Sequence, residues 1–276
     1  MTVTQAVERL VRASVHLSDV DLDKPYAWEE YDDDGLRFAL LTAHHQLRAT
    51  TATVAAARRG AGQPFTEAQR ILAQVHEAYR DLTGALAPVS EAELDQAPPA
   101  GQWTVREVLK HVLEAEKGFL AAIEVALDAV QAGKPSEPNR DAGKAKRAKS
   151  EDPSGSRADA LNALSRSHIA IVLALDPVTD AELDTPSWFW EDKGYPIRFR
   201  MHRFEEHVRQ HTIHVDKTLV ALGHPPTEAE RLTRNIYNAL AGVESVAANS
   251  SAGGDVLERC ARSIDEITVE IERLTR

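Results

Sequence analysis

An all-α protein is the fold class this sequence predicts, and three observations predict it. Apolar residues recur at helical spacing through most of the 276 positions, with few runs that alternate as strands do. Alanine and leucine are abundant, while aromatic residues make up only 5%. A block in the first half of the chain also returns in the second half at a fixed offset, so the helices belong to two related units, each of a size for one four-helix bundle.

Eight helices are expected, at roughly 3–16, 37–58, 67–87, 104–131, 157–175, 198–222, 227–247 and 254–275. The first opens the chain with Glu8 and Arg9 where a signal segment would carry an apolar core. The second ends at Gly60 and Gly62, and Pro64 bars its continuation. The third and seventh follow Thr66 and Thr227, each a cap residue before Glu-Ala. The fourth follows Thr104, with Glu107 three positions on at capping-box spacing. Residues 133–156 hold three prolines, mixed charge and almost no large apolar side chain, so they read as a flexible crossover loop before the fifth helix. The sixth stops at Gly223, with Pro225 and Pro226 behind it. The eighth, VLERCARSIDEITVEIERL, has no histidine.

The repeat organises these helices. Thr66-Glu67-Ala68-Gln69-Arg70 recurs as Thr227-Glu228-Ala229-Glu230-Arg231, an offset of 161 positions. The same ungapped offset pairs Leu22-Asp23 with Leu183-Asp184, Arg37-Phe38 with Arg198-Phe199, Gly62 with Gly223 and Pro64 with Pro225. If residues 67–222 form one complete bundle, 3–58 match its third and fourth helices, 227–247 its first and 254–275 its second. The second bundle, 1–66 with 227–276, is then built from both chain ends, and the protein is a pseudo-dimer within one chain. A shorter echo, Val89 to Asp95 against Val178 to Asp184, marks a similar acidic connector.

The formal charge of −11 leaves little attraction for a polyanion, so nucleic acid is not an expected partner. No stretch approaches the roughly 20 apolar residues that span a bilayer, so no membrane partner is expected and the chain is read as cytoplasmic. Cys260 is the only cysteine, which excludes an internal disulfide and a thiolate metal cluster and leaves His, Asp or Glu to hold any ion. Cys260 itself is read as a small core residue.

Four of the eleven histidines fall on three turns of one helix: His202, His207, His211 and His214. His211 shares a stripe with Phe204, Val208, Val215 and Leu219, and His207 and His214 flank it, while His202 points elsewhere. His207 and His211, spaced i, i+4, place two imidazoles about one turn apart, close enough to grip one ion; His207 and His214 are about 10 Å apart along the axis. A third ligand must come from another helix. His111 lies in a seam of small residues, Ala115, Gly118 and Ala122, that lets another helix approach closely. Two imidazoles from one helix and one from its neighbour leave open positions on an ion, as catalytic sites require.

Trp103-Thr104-Val105-Arg106-Glu107-Val108-Leu109-Lys110-His111 before a long helix, with His207-Val208-Arg209-Gln210-His211 about a hundred residues later, resembles the DinB-like four-helix-bundle family over roughly 67–222. The resemblance implies His111, His207 and His211 as ligands to a divalent metal, Zn²⁺ or Ni²⁺, with water completing the shell. A shifted register with Gln210 and His214 as ligands is the alternative; two imidazoles outrank an imidazole and an amide. The resemblance also implies a metal-dependent enzyme of unknown substrate, an S-transferase using a low-molecular-weight thiol or a hydrolase acting on a small molecule. The alternative is a non-catalytic ligand-binding or scaffold protein with a vestigial site. It is motivated by the other unit, where Gln46 and Thr50 stand at the offset positions of His207 and His211.

His214 and Glu114 are the candidate catalytic groups, Glu114 because it lies one turn beyond His111. Glu107 and Glu116 read as solvated, and His76, His168 and His224 receive no role. Trp103, Trp188 and Trp190 read as packing residues, with a pocket wall as the other reading.

Overall fold

The structure, a computed structural model, describes residues 1–27, 35–147, 151–189, 193–248 and 250–276. Among these the protein is all-α, with eleven α-helices and one ladder of two two-residue strands. The chain divides into two compact units: Met1–Pro64 with Arg80–Val89 and Pro225–Arg276, and Phe65–Tyr79 with Ser90–His224.

The first unit is a four-helix bundle of α1 (Val3–Ser14), α3 (Leu36–Gly60), α10 (Glu228–Ala247) and α11 (Gly254–Thr275), with the short α2 (Asp19–Leu22) between α1 and α3. α3 packs on α10 and α11, and α1 packs on the same two. Leu10, Leu40, Leu47, Leu240 and Ile264 are fully buried in its core. Cys260 is buried there too; burial raises its thiol pKa, opposed by a hydrogen bond with Thr50. Thr50, which the offset of 161 pairs with His211, is therefore part of the packing of α3.

α4 (Glu67–Leu86) begins in the second unit, yet residues 80–89 group with the first. Leu82 and Leu86 are buried in this segment, and ion pairs tie it to α10. The Arg80 guanidinium, itself buried, donates to Glu244 at 2.5 and 2.7 Å, and Arg234 donates to Asp81 at 2.7 Å.

The second unit packs the start of α4 with α6 (Val105–Gln131), α8 (Arg157–Leu175) and α9 (Ile197–Ala221). Val75, Phe119, Ile123, Ile171 and Phe204 share its core. The connector echo proves to be two short capped turns. Ser90 caps α5 (Glu91–Asp95), Thr179 caps the 3-10 turn Asp180–Glu182, and Leu94 and Leu183 anchor them in the interior.

Within residues 133–156 the structure places a helix, α7 (Arg140–Lys146), where a loop is expected. α7 buries no residue. Asn139 caps it and Lys146 pairs with Asp128 of α6 at 2.9 Å, features that leave no trace in apolar periodicity. β1 (Pro186–Ser187) and β2 (Tyr195–Pro196), antiparallel and also unexpected, close the connection into α9.

Equivalent contacts recur at the offset of 161. In the first unit Arg37 bonds Asp23 and Glu228, each at 2.8 Å. In the second Arg198 bonds Asp184 at 3.1 Å and also pairs with Glu67. Gly62 and Gly223, just after α3 and α9, both take the left-handed conformation that a β-carbon disfavours, with φ of 72° and 88°.

α6, which carries His111, starts as its capping box predicts. Thr104 accepts from the Glu107 amide at 3.2 Å and donates its own amide to the Glu107 carboxylate at 2.7 Å. Thr104→Ala should cost about 1 kcal/mol in urea unfolding; a loss below a few tenths would show that the tertiary core alone fixes the helix start. No helix among the described residues is long and apolar enough to cross a membrane.

Candidate metal centre

α6 and α9 pack side by side and bring His111, His207 and His211 together. Each offers one ring nitrogen, and the three nitrogens lie within 4.8 Å of one another. His207 Nε2 and His111 Nε2 are 3.2 Å apart. Two nitrogens bound tetrahedrally at zinc distances would stand about 3.4 Å apart, so this pair already has ligand spacing.

The helical stripe explains the burial. Phe204, Val208, His211, Val215 and Leu219 are buried along α9, with His207 one turn before His211 and buried on the same side. Gln210 is exposed and His214 half-buried, whereas His207 and His211 are both buried. Instead His214 stacks on Trp103, ring centroids 5.5 Å apart. Trp103 also approaches His111 at 5.1 Å and His211 at 6.4 Å, forming a wall of the triad. Phe119 closes another side, edge-on to His207 at 5.6 Å.

Burial keeps His207 and His211 neutral. It is the first cause holding His207 down to about 3, with the charges of His211, His111 and Arg203 adding to it. Burial likewise holds His211 down to about 4, with His111 and His214 contributing. His214 is lowered by burial and by Lys217 and His111. Neutral imidazole is the ligating form. The Nδ1 atoms of His207 and His211 are buried and have no hydrogen-bond partner among the described residues. Such orphaned nitrogens suit a donor set that a cation completes. Three close histidines of this kind could hold a metal.

A cleft of about 350 Å³ opens beside the triad, lined by His111 and His207 and rimmed by the exposed Glu114. Arg200, which no sequence pattern singled out, lies in its wall at 1% exposure. Its guanidinium faces the rings of Tyr195, Phe199 and Phe189 at 5.2, 5.6 and 5.9 Å and donates through Nε to Ser187 Oγ at 3.3 Å. The small-residue seam of α6 receives a ring as well as a helix: a β-carbon on Gly118 would lie 2.6 Å from Phe189.

The solvated reading of Glu116 is overturned. Glu116 is 4% exposed and has no hydrogen bond or ion pair among the described residues. Its carboxyl is pushed up to about 8 by burial. The signal was present, because Val112, Glu116, Phe119 and Ile123 fall on one apolar stripe. Glu107 serves the α6 cap. His202 is half-buried beside Glu205. His76 and His168, given no role, form a hydrogen-bonded pair at 2.7 Å under Tyr79. Trp188 lies half-buried, its indole N–H without a hydrogen-bond partner among the described residues, and Trp190 lies outside the described residues.

The family model of the DinB superfamily matches residues 74–215, more than half of the chain. The chain belongs to the DinB superfamily. The matched DinB-superfamily segment contains α6, α8, most of α9 and all three converging histidines. No curated protein and no solved structure matches the chain.

Proposed function

We propose that this DinB-superfamily protein is a metal-dependent enzyme acting on a small molecule, with His111, His207 and His211 holding one zinc or nickel ion. The observation that carries the reading is the convergence of three ring nitrogens, two of the imidazoles being buried with an orphaned Nδ1. When bound, such an ion supplies a Lewis acid of undiminished charge, able to acidify a water or a thiol. S-transfer with a low-molecular-weight thiol and hydrolysis are therefore the proposed reaction classes.

The surrounding side chains divide the remaining work. Trp103 and Phe119 exclude water from two sides of the triad. Glu114, on the rim of the same cleft, is placed to exchange protons with solvent, and His214 can do so from behind Trp103. We further infer that the two units descend from one bundle, 67–222 keeping the site and the chain ends forming the degenerate copy. The matched Arg37 and Arg198 ion pairs support this.

The test is elemental analysis of untagged protein. About one divalent ion per chain is expected, and loading with Ni²⁺ should quench the Trp103 emission in proportion, an effect that Trp103→Phe removes. No ion after soaking in zinc and nickel would overturn the reading.

A further inference from the structure

The cleft beside the triad carries more positive charge than an ion held by neutral imidazoles requires. Arg147, Arg200 and Arg203 line it, and among the described residues Glu114 is the one acid in its lining. On α9, Arg200, Arg203 and His207 are spaced i, i+3, i+7, so the two arginines share a face with the triad. They precede His207 by roughly 10 and 6 Å of helix axis. A guanidinium stays charged even when buried, and that of Arg200 faces the rings of Tyr195 and Phe199. Arg203 meets Glu206 at 2.9 Å, but that side chain is 61% exposed, so the pair is weak and leaves donors over.

The walls between these charges are apolar: Phe119, Phe189 and Phe199. A second cavity of about 640 Å³ adjoins the first through Arg147 and Phe189 and adds Arg140 and Lys144 of α7 over Gly118 and Ala122. Both cavities fall in the size range of small-molecule sites. Charge and apolar surface thus run together from the triad toward α7.

We propose that the cleft takes an oxyanion-bearing substrate, a carboxylate or a phosphate on an apolar body. Arg203 and Arg147 hold the oxyanion, and the body lies against Phe119 and Phe189. The carboxylate and phosphate cases share one chemistry, planar N–H donors facing paired oxygens. That the ligand is a substrate rests on the triad being the reaction centre; the anion site rests on its own residues.

The experiment titrates the full chain, zinc-loaded and chelator-stripped, with 3-phenylpropanoate, phenyl phosphate and neutral 3-phenylpropanamide by calorimetry, with zinc measured on every sample. The stripped protein decides, because a bound ion would itself attract an anion. There, at least one oxyanion should bind about tenfold tighter than the amide. Arg203→Gln and Arg147→Gln, both on accessible side chains, should each weaken it by about fivefold or more while leaving zinc content unchanged. Equal binding of all three probes, no binding of any, or affinity unchanged in both variants would overturn the proposal. Charge-selective binding by a chain that never takes up zinc would sustain the anion site and remove the metal reading.

Discussion

Replacing His207 by alanine is expected to empty the metal centre while the protein stays folded. Second-sphere changes at metal sites already cost about 10 to 100-fold in affinity, so loss of one of three protein ligands should exceed about 100-fold. His111→Ala and His211→Ala should behave alike, whereas His214→Ala, whose ring stacks on Trp103, should keep the ion. The fold should survive because the substitution also removes a buried nitrogen without a partner, offsetting part of the cavity left behind. The metal-free protein offers an independent readout. Burial lowers His207 and His211 to about 3 and about 4, so the unfolded chain binds more protons than the folded one below about 6.5. Their contribution is complete above that pH and is lost as pH falls toward 4 and 3. His207→Ala deletes one of the two, so its acid loss in urea unfolding between pH 7 and pH 5 should be shallower than in the wild type. An alanine variant that retains its ion with unchanged affinity would sink the assignment.

The parts of this site legible in the sequence are those encoded within one helix. Thr104 and Glu107 fix the start of α6 through contacts three residues apart, and the stripe through Phe204, Val208 and Val215 puts His211 inside wherever the helix packs. The triad needed one more step, the pairing of α6 with α9, for which the family resemblance stood in. What escaped depends on rings and charges brought in from elsewhere in the chain. Arg200 looks like any helix arginine until Ser187, Phe189 and Tyr195, contributed by the strands and the connection before α9, close around it. α7 was hidden because it buries nothing. Glu116 was missed for another reason: its spacing placed it inside, but the charge density of its helix argued for solvent.

Glu116→Gln is expected to stabilise the protein at alkaline pH and to flatten its pH profile. In the folded chain burial raises this carboxyl to about 8, against an ordinary value of 4.5. The folded state therefore keeps a proton that the unfolded chain releases between those two values. Stability from this group is present below about 4.5 and is lost as pH rises through 8, by about 1.4 kcal/mol per pH unit. The loss amounts to something on the order of 3 kcal/mol at pH 7. Glutamine has nearly the same shape and no proton to hold. After roughly 1 kcal/mol for a buried amide, the variant should gain about 2 kcal/mol at pH 7, about 3 kcal/mol at pH 8 and nothing, or a small loss, at pH 5. In the window from pH 6.5 to 8 the comparison isolates the effect, because the small remaining contribution of His207 and His211 is common to both proteins. Urea midpoints of the metal-free chain measured across it should fall for the wild type and stay level for the variant. Glu114→Gln, on the exposed rim, should leave the slope as it was. Parallel slopes for wild type and Glu116→Gln would mean that the carboxyl ionises in the folded state against a cation or water. A crossing of the two curves between pH 5 and pH 8 is the result expected of a carboxyl that folding keeps protonated.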